Sequence, residues 1–133
     1  EMLKVIADSG IILDEEILSN PDLLHGHAGA VIAEKEYAVT DPEILDAIRF
    51  HTTGRVNMSL LEKVIYLADF IEPGRTFPEV DKIRSIAEKN LDEAILMAME
   101  STISYLNSIG NPIHASTMEA RDFLNRKVKW RNR

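Results

Sequence analysis

Residues 51–75 read HTTGRVNMSLLEKVIYLADFIEPGR, and the punctuation inside this stretch sets the architecture of the chain. Ser59 and Glu62 form an S-x-x-E capping box at the head of an apolar run, LLEKVIYLADFI, and Pro73-Gly74 closes it. The flanks, HTTGR before and PGRTF after, are turn chemistry. A capped helix held between two loops is therefore expected, the loops being the longest in the chain. The same grammar continues outward in both directions. Upstream, Met2, Leu3, Val5 and Ile6 form the tail of an amphipathic helix stopped by Gly10, and Asp14 caps DEEILS. Asn20-Pro21 and Asp41-Pro42 each place a cap before a proline at the first helical position, opening PDLLHGHAGAVIAEKEY and EILDAIRF. Downstream, Pro78 opens PEVDKIRSIAEK, Asn90 caps a long helix ending at Gly110, and a last helix starts near Ser116. No segment alternates strictly between turn signals, so no strand is expected. The expectation is one all-α domain of seven or eight helices.

Composition supports that outline and narrows the function. The 133 residues suit a single domain with a real hydrophobic core, and 45% hydrophobic with 28% charged residues is ordinary for a soluble globule. No apolar run approaches the ~20 residues needed to span a bilayer. Twenty-two acids against fifteen bases leave a net charge of −7, which disfavours general nucleic-acid binding. With no cysteine, thiolate metal sites, thiol nucleophiles and disulfides are excluded, and any metal must sit on His, Asp and Glu. A cytoplasmic location fits this usage. There is no phosphate-binding P-loop, dinucleotide Gly-rich turn or HExxH motif. The chain opens on Glu1 inside an apparent helix, so it is expected to be the downstream part of something longer.

Four histidines and one aspartate stand out. His25 and His27 lie two apart on a helix, about 200° around its axis, so one faces inward and the other outward. Gly26, Ala28 and Gly29 beside them favour close helix packing, and a hydrogen-bonded core role for His25 is the bland alternative. His51 ends an apolar helix and begins HTTGR, whose hydroxyls, backbone amides and Arg55 guanidinium suit phosphate oxygens. The alternative is a C-cap, with His51 on the negative helix end and Gly54 in a left-handed turn. Asp69 sits among Ile65, Leu67, Ala68, Phe70 and Ile71, where a buried carboxylate would require a cation, a metal or strong donors. The competing expectation is an exposed position on an amphipathic helix. Glu62, Tyr66 and Asp69 share one helical face, while Lys63 lies off that stripe, either solvated or functional. Arg75 follows Pro73-Gly74, where a loop can carry it over a site. His114 precedes Ser116 and Thr117 at a helix start, which is an anion site or simply an N-cap. The basic ending KVKWRNR reads as a frayed helix end.

Taken together, LLHGHAGA, FHTTGRVNMSLLEKVIYLADFIEPGR and NPIHASTMEARDFL resemble the YqeK family of HD-domain hydrolases, bacterial enzymes that split diadenosine tetraphosphate into two ADP. The resemblance runs through nearly the whole chain in order. It implies an HD-domain-like bundle of about seven helices, of which residues 1–133 are the carboxy-terminal part. Asp69 matches the last metal-binding aspartate of the superfamily. His25 and His51 match positions that line the active site, contacting phosphates or completing a second metal position; Asp69 and His51 are thus the catalytic candidates. Thr52, Arg75 and the run Pro112, Ile113, His114, Ala115, Ser116 and Thr117 match nucleotide-contacting positions. One or two divalent ions, iron first, are implied as cofactor, a dinucleoside polyphosphate or ADP as ligand, and homo-oligomerisation is compatible. The His-Asp dyad that names the superfamily is not among these residues, so the chain is expected to be truncated at its amino terminus. Three rival expectations remain: a non-catalytic nucleotide-binding or protein-interaction module, an HD phosphohydrolase of another nucleotide, and a purely structural helical bundle.

Overall fold

The computed structural model describes residues 1–132, and among them every regular element is helical. The order is α1 (Met2–Ser9), α2 (Glu15–Ser19), α3 (Pro21–Glu36), α4 (Pro42–Arg49), α5 (Leu60–Ile71), α6 (Val80–Ala87), α7 (Leu91–Ser108) and α8 (Ala115–Arg131). The caps read from the sequence do the starting and stopping. Asp14 accepts from the Ile17 N–H, Asn20 from Asp22, Asp41 from Glu43 and Asn90 from Glu93. Ser59 and Glu62 complete a reciprocal capping box at α5. Gly10 and Gly110 take left-handed backbone just past α1 and α7, with φ of 76° and 72°.

Two apolar cores result. Helices α1, α2 and α3 enclose Ile6, Ile17, Leu24, Ala28 and Val31. Helices α5, α6, α7 and α8 enclose a larger one around Ile83, Ile95 and Met99, which are fully buried. Helix α4 packs against both α3 and α5 and so joins the two halves. Its approach to α3 depends on Gly26. A Cβ there would stand 2.7 Å from the Arg49 carbonyl oxygen and 3.2 Å from that of Ile48, closer than packed atoms tolerate. The small residues around the histidines thus set a helix separation, as their pattern suggested.

The basic ending is a correction. Helix α8 runs in order to Arg131, because Lys127 and Arg131 reach the buried Asp92 carboxylate on α7 at 3.2 and 2.9 Å. Lys63 of α5 takes the other oxygen at 2.7 Å. Burial alone would push the Asp92 carboxyl up; the ammonium groups of Lys63 and Lys127 outweigh it and hold the group below its ordinary range. Lys63 is therefore an ion-pair anchor between helices. No helix among the described residues is long and apolar enough to cross a membrane.

Candidate active site

The turn after α4 builds one wall of a cleft of about 790 Å³. His51 sits just beyond the end of α4, and its Nδ1 lies 2.6 Å from the Ile48 carbonyl oxygen. A carbonyl only accepts, so Nδ1 carries the proton and the Nε2 lone pair is left facing outward. Phe50 is the C-cap of α4, while the His51 ring meets the negative helix end and Gly54 takes the left-handed turn, and that bond to Ile48 is what orients the ring for other work. His25, on α3, presents its Nε2 2.9 Å from that of His51, with the rings edge to face. The Thr52 hydroxyl lies 3.3 Å from both nitrogens. Three polar groups, one from α3 and two from the turn after α4, thus converge beside the close contact of Gly26 with the end of α4.

That convergence suits a divalent cation. Metal–imidazole bonds are about 2.1 Å, so two cis ligands at a right angle lie about 3 Å apart, which is the separation seen. The Nδ1–H bond to a backbone carbonyl is likewise the usual outer support of a metal-bound histidine. Two imidazoles are only part of a coordination shell. Among the described residues, the one group of three His, Asp or Glu side chains with ligand atoms within 4.8 Å of one another is elsewhere: Asp14, Glu16 and His114. Its chemistry fits a metal poorly. His114 is the N-cap of α8, and its Nδ1 accepts the Ser116 N–H at 3.1 Å. The ring proton then resides on Nε2, which lies 3.9 Å from each carboxylate as a donor without a free lone pair.

Several expectations change here. Asp69 is not buried without a partner: its side chain is 56% exposed in the cleft wall, with an Arg75 nitrogen 3.8 Å away. Helix α5 buries Glu62 and Tyr66 and leaves Asp69 exposed; Tyr66 and Asp69 still meet at the cleft, while Glu62 is turned away to Arg55. Arg55 is not free for phosphate. It donates to Glu62 at 2.8 and 2.6 Å, pairs with Asp46 at 3.2 Å and lies over the Phe50 ring. Its hydrogen bond to Glu62 raises its pKa further. His25 is exposed, and His27 is the half-buried member of the pair, edge-on to Phe50. Burial and the nearby Arg49 charge lower the His27 pKa, Asp14 opposing them.

His51, Thr52, Asp69 and Arg75 all line the cleft, and His25 joins them through His51. Pro112, Ile113, His114, Ala115, Ser116 and Thr117 do not line it. Thr117 acts from behind, donating its hydroxyl to the Thr53 carbonyl at 2.8 Å and so pinning the HTTG turn to α8. Sequence reasoning missed the far half of the cleft, where Phe70, Phe77, Glu79, Ser101 and Tyr105 stand. The available signal was Ser101, Tyr105 and Ser108 at helical spacing on the second half of α7.

No protein-family model matches the chain. It is 45% identical over 105 residues to the symmetrical bis(5'-nucleosyl)-tetraphosphatase of Bacillus subtilis, and 48% identical over 97 residues to that of Halalkalibacterium halodurans. The corresponding protein of Staphylococcus aureus is 40% identical over 116 residues. These matches cover 79%, 73% and 85% of this chain but 56%, 52% and 60% of those proteins, so the chain spans little more than half the length of the curated relatives. A crystal structure from Clostridium acetobutylicum, described as a predicted HD superfamily hydrolase involved in NAD metabolism, superposes with a TM-score of 0.90 at 44% identity. That match takes in 95% of this chain and 67% of the other. An eight-helix body of the same shape and this level of identity leave one conclusion: the chain belongs to the YqeK-like members of the HD superfamily of hydrolases.

Proposed function

We propose that this chain forms part of a metal-dependent phosphohydrolase that cleaves diadenosine tetraphosphate symmetrically into two ADP. The observation that carries the proposal is the 40–48% identity to three symmetrical tetraphosphatases. Matches covering 73–85% of the chain necessarily include the cleft residues His51, Thr52, Asp69 and Arg75. His25 and His51 would hold a divalent ion, iron first, with Asp69 available from the cleft wall. When bound, the ion polarises a phosphoryl group and acidifies a water. The chain's own residues do the rest. Arg75 offsets phosphate charge, being tied only loosely to Asp69 and Glu72 at 3.8 and 3.6 Å. Thr52 orients an oxygen at the imidazole pair, and Thr117 keeps that turn in place. The ligand is a dinucleoside polyphosphate, and action in the cytoplasm fits the composition.

The test incubates the full-length protein with diadenosine tetraphosphate and a divalent metal and separates the products chromatographically. ADP alone is expected, with loss of turnover on chelation. ATP together with AMP overturns symmetric cleavage. A second reading, a nucleotide-binding module without turnover, is favoured by one observation: only two imidazoles converge at the cleft among the described residues. ADP binding with no hydrolysis in metal-supplemented buffer decides for it.

A further inference from the structure

Arg75 reaches the cleft from the turn Pro73-Gly74-Arg75, which leaves the end of α5. Little about the Arg75 side chain itself holds it there. It is half exposed, and its two ion-pair partners, Asp69 and Glu72, stand 3.8 and 3.6 Å away. Contacts of that length at an exposed site are weak and leave a guanidinium free to swing. Its place must therefore come from the backbone that carries it. That backbone includes Gly74, the least restrained residue type, and α5 has no basic side chain in its last turn to meet its free carbonyls. The bonds made within the turn are local: the Gly74 N–H donates to the Glu72 carboxylate at 2.8 Å, and the Arg75 N–H to the Glu72 carbonyl at 2.9 Å.

A side chain from another helix closes the turn. Arg84, on α6, donates from Nε to the Ile71 carbonyl at 3.0 Å and from Nη2 to those of Glu72 and Arg75 at 2.8 and 3.0 Å. Its Nη1 reaches the Asp81 carboxylate at 3.2 Å. One guanidinium thus joins carbonyls on both sides of Pro73-Gly74, and both Nη2 hydrogens are engaged in doing so. Its charge also faces the negative end of α5. Arg84 does not line the cleft itself, whereas Asp69, Phe70 and Arg75, on either side of the clamp, do.

Resting on the phosphohydrolase reading above, we propose that Arg84 is a positioning residue for Arg75: it fixes the turn, so that the Arg75 guanidinium stands ready for phosphate oxygens before the ligand arrives. The planar fork is required, since the carbonyls meet two different nitrogens; a lysine ammonium presents its three donors from one point. Pre-ordering matters because a turn that the ligand must order loses part of the binding energy to that ordering. A helix cap would add stability to α5 whatever Arg75 does. A positioning residue acts on the ligand only through Arg75.

The experiment is a double-mutant cycle on the full-length protein, with ADP binding read by calorimetry in metal-supplemented buffer. Arg84→Ala is expected to weaken ADP about fivefold, and to add less than about twofold when Arg75 is already alanine. Arg84→Lys keeps the charge and serves in the same cycle if the alanine variant fails to fold. It should match the loss in Arg84→Ala to within about twofold, because the fork is gone. Unaltered affinity in Arg84→Ala, equal losses with and without Arg75, or full affinity in Arg84→Lys overturns the positioning role. Arg84 is then a cap of α5 alone, and the phosphohydrolase reading stands. If the unaltered protein neither binds ADP nor hydrolyses diadenosine tetraphosphate, that reading fails first and the positioning role falls with it.

Discussion

At the scale of single residues, the informative side chains are those with two jobs. His51 meets the negative end of α4 through Nδ1, and that bond fixes which nitrogen can serve the cleft. The sequence placed it at a helix end, so both readings were visible, but it did not show that one enables the other. Asp69 went the other way. A helical pattern tells which residues share a face, not which face the neighbours cover. Helices α4, α6 and α7 pack over the Glu62, Tyr66 and Leu67 side of α5, leaving Val64, Ile65, Ala68 and Asp69 outward. Two predictions follow at this scale. Arg75→Ala should weaken ADP binding about tenfold, the worth of one charge-assisted contact at an exposed site, without altering bound metal. An unchanged dissociation constant rules Arg75 out of phosphate binding. Asp69→Asn should lower the metal content of the full-length protein, since it removes an anionic ligand, and elemental analysis per chain reads this directly. Full occupancy would remove Asp69 from the metal site.

At the scale of elements, most helices were legible almost to the residue because six of the eight begin with a side chain that satisfies free amides, α1 and α6 being the exceptions. Asp14, Asn20, Asp41, Ser59 and Asn90 all cap as their identity required. Less legible was how close two elements come. Gly26 lets the α4 carbonyls approach α3, and it adjoins His25, while His51 lies two residues past the end of α4. The 2.9 Å separation of the imidazole nitrogens is thus set by a glycine, not by the histidines. Gly26→Ala should force the helices apart and cost about 1–3 kcal/mol, the usual range for overpacking. The same variant should bind metal more weakly although no ligand has changed. Thermal unfolding and metal titration check the two effects separately. Unaltered stability would show that the backbone yields without cost, and the spacing argument would fail.

At the scale of the whole molecule, contacts between distant parts of the chain were out of reach of pattern reading. Asp92 gathers Lys63 from α5 and Lys127 and Arg131 from α8, and nothing near it in sequence announces this. Asp92→Asn should destabilise the protein by about 3 kcal/mol, because it leaves the half-buried Lys63 ammonium without its counter-charge. Arg131→Ala, at an exposed partner, should cost under about 1 kcal/mol; equal midpoints for the two variants in urea would contradict the ranking. The seam between the two cores has its own electrostatics. His27 of α3 lies near Arg49 and His114, with Asp14 opposing them, so four segments meet around one imidazole. Burial first, then the Arg49 charge, lowers its pKa below the ordinary 6.5. A histidine lowered in the folded state binds fewer protons than in the unfolded chain between the two pKa values. Its contribution to stability is therefore intact above about pH 6.5 and declines as the pH falls through the depressed value. His27→Gln removes that proton linkage and should flatten the stability profile between pH 7 and 5 relative to the unaltered protein, as read from urea midpoints. Parallel profiles would mean that His27 titrates alike in both states. The seam would then carry no proton linkage through this residue.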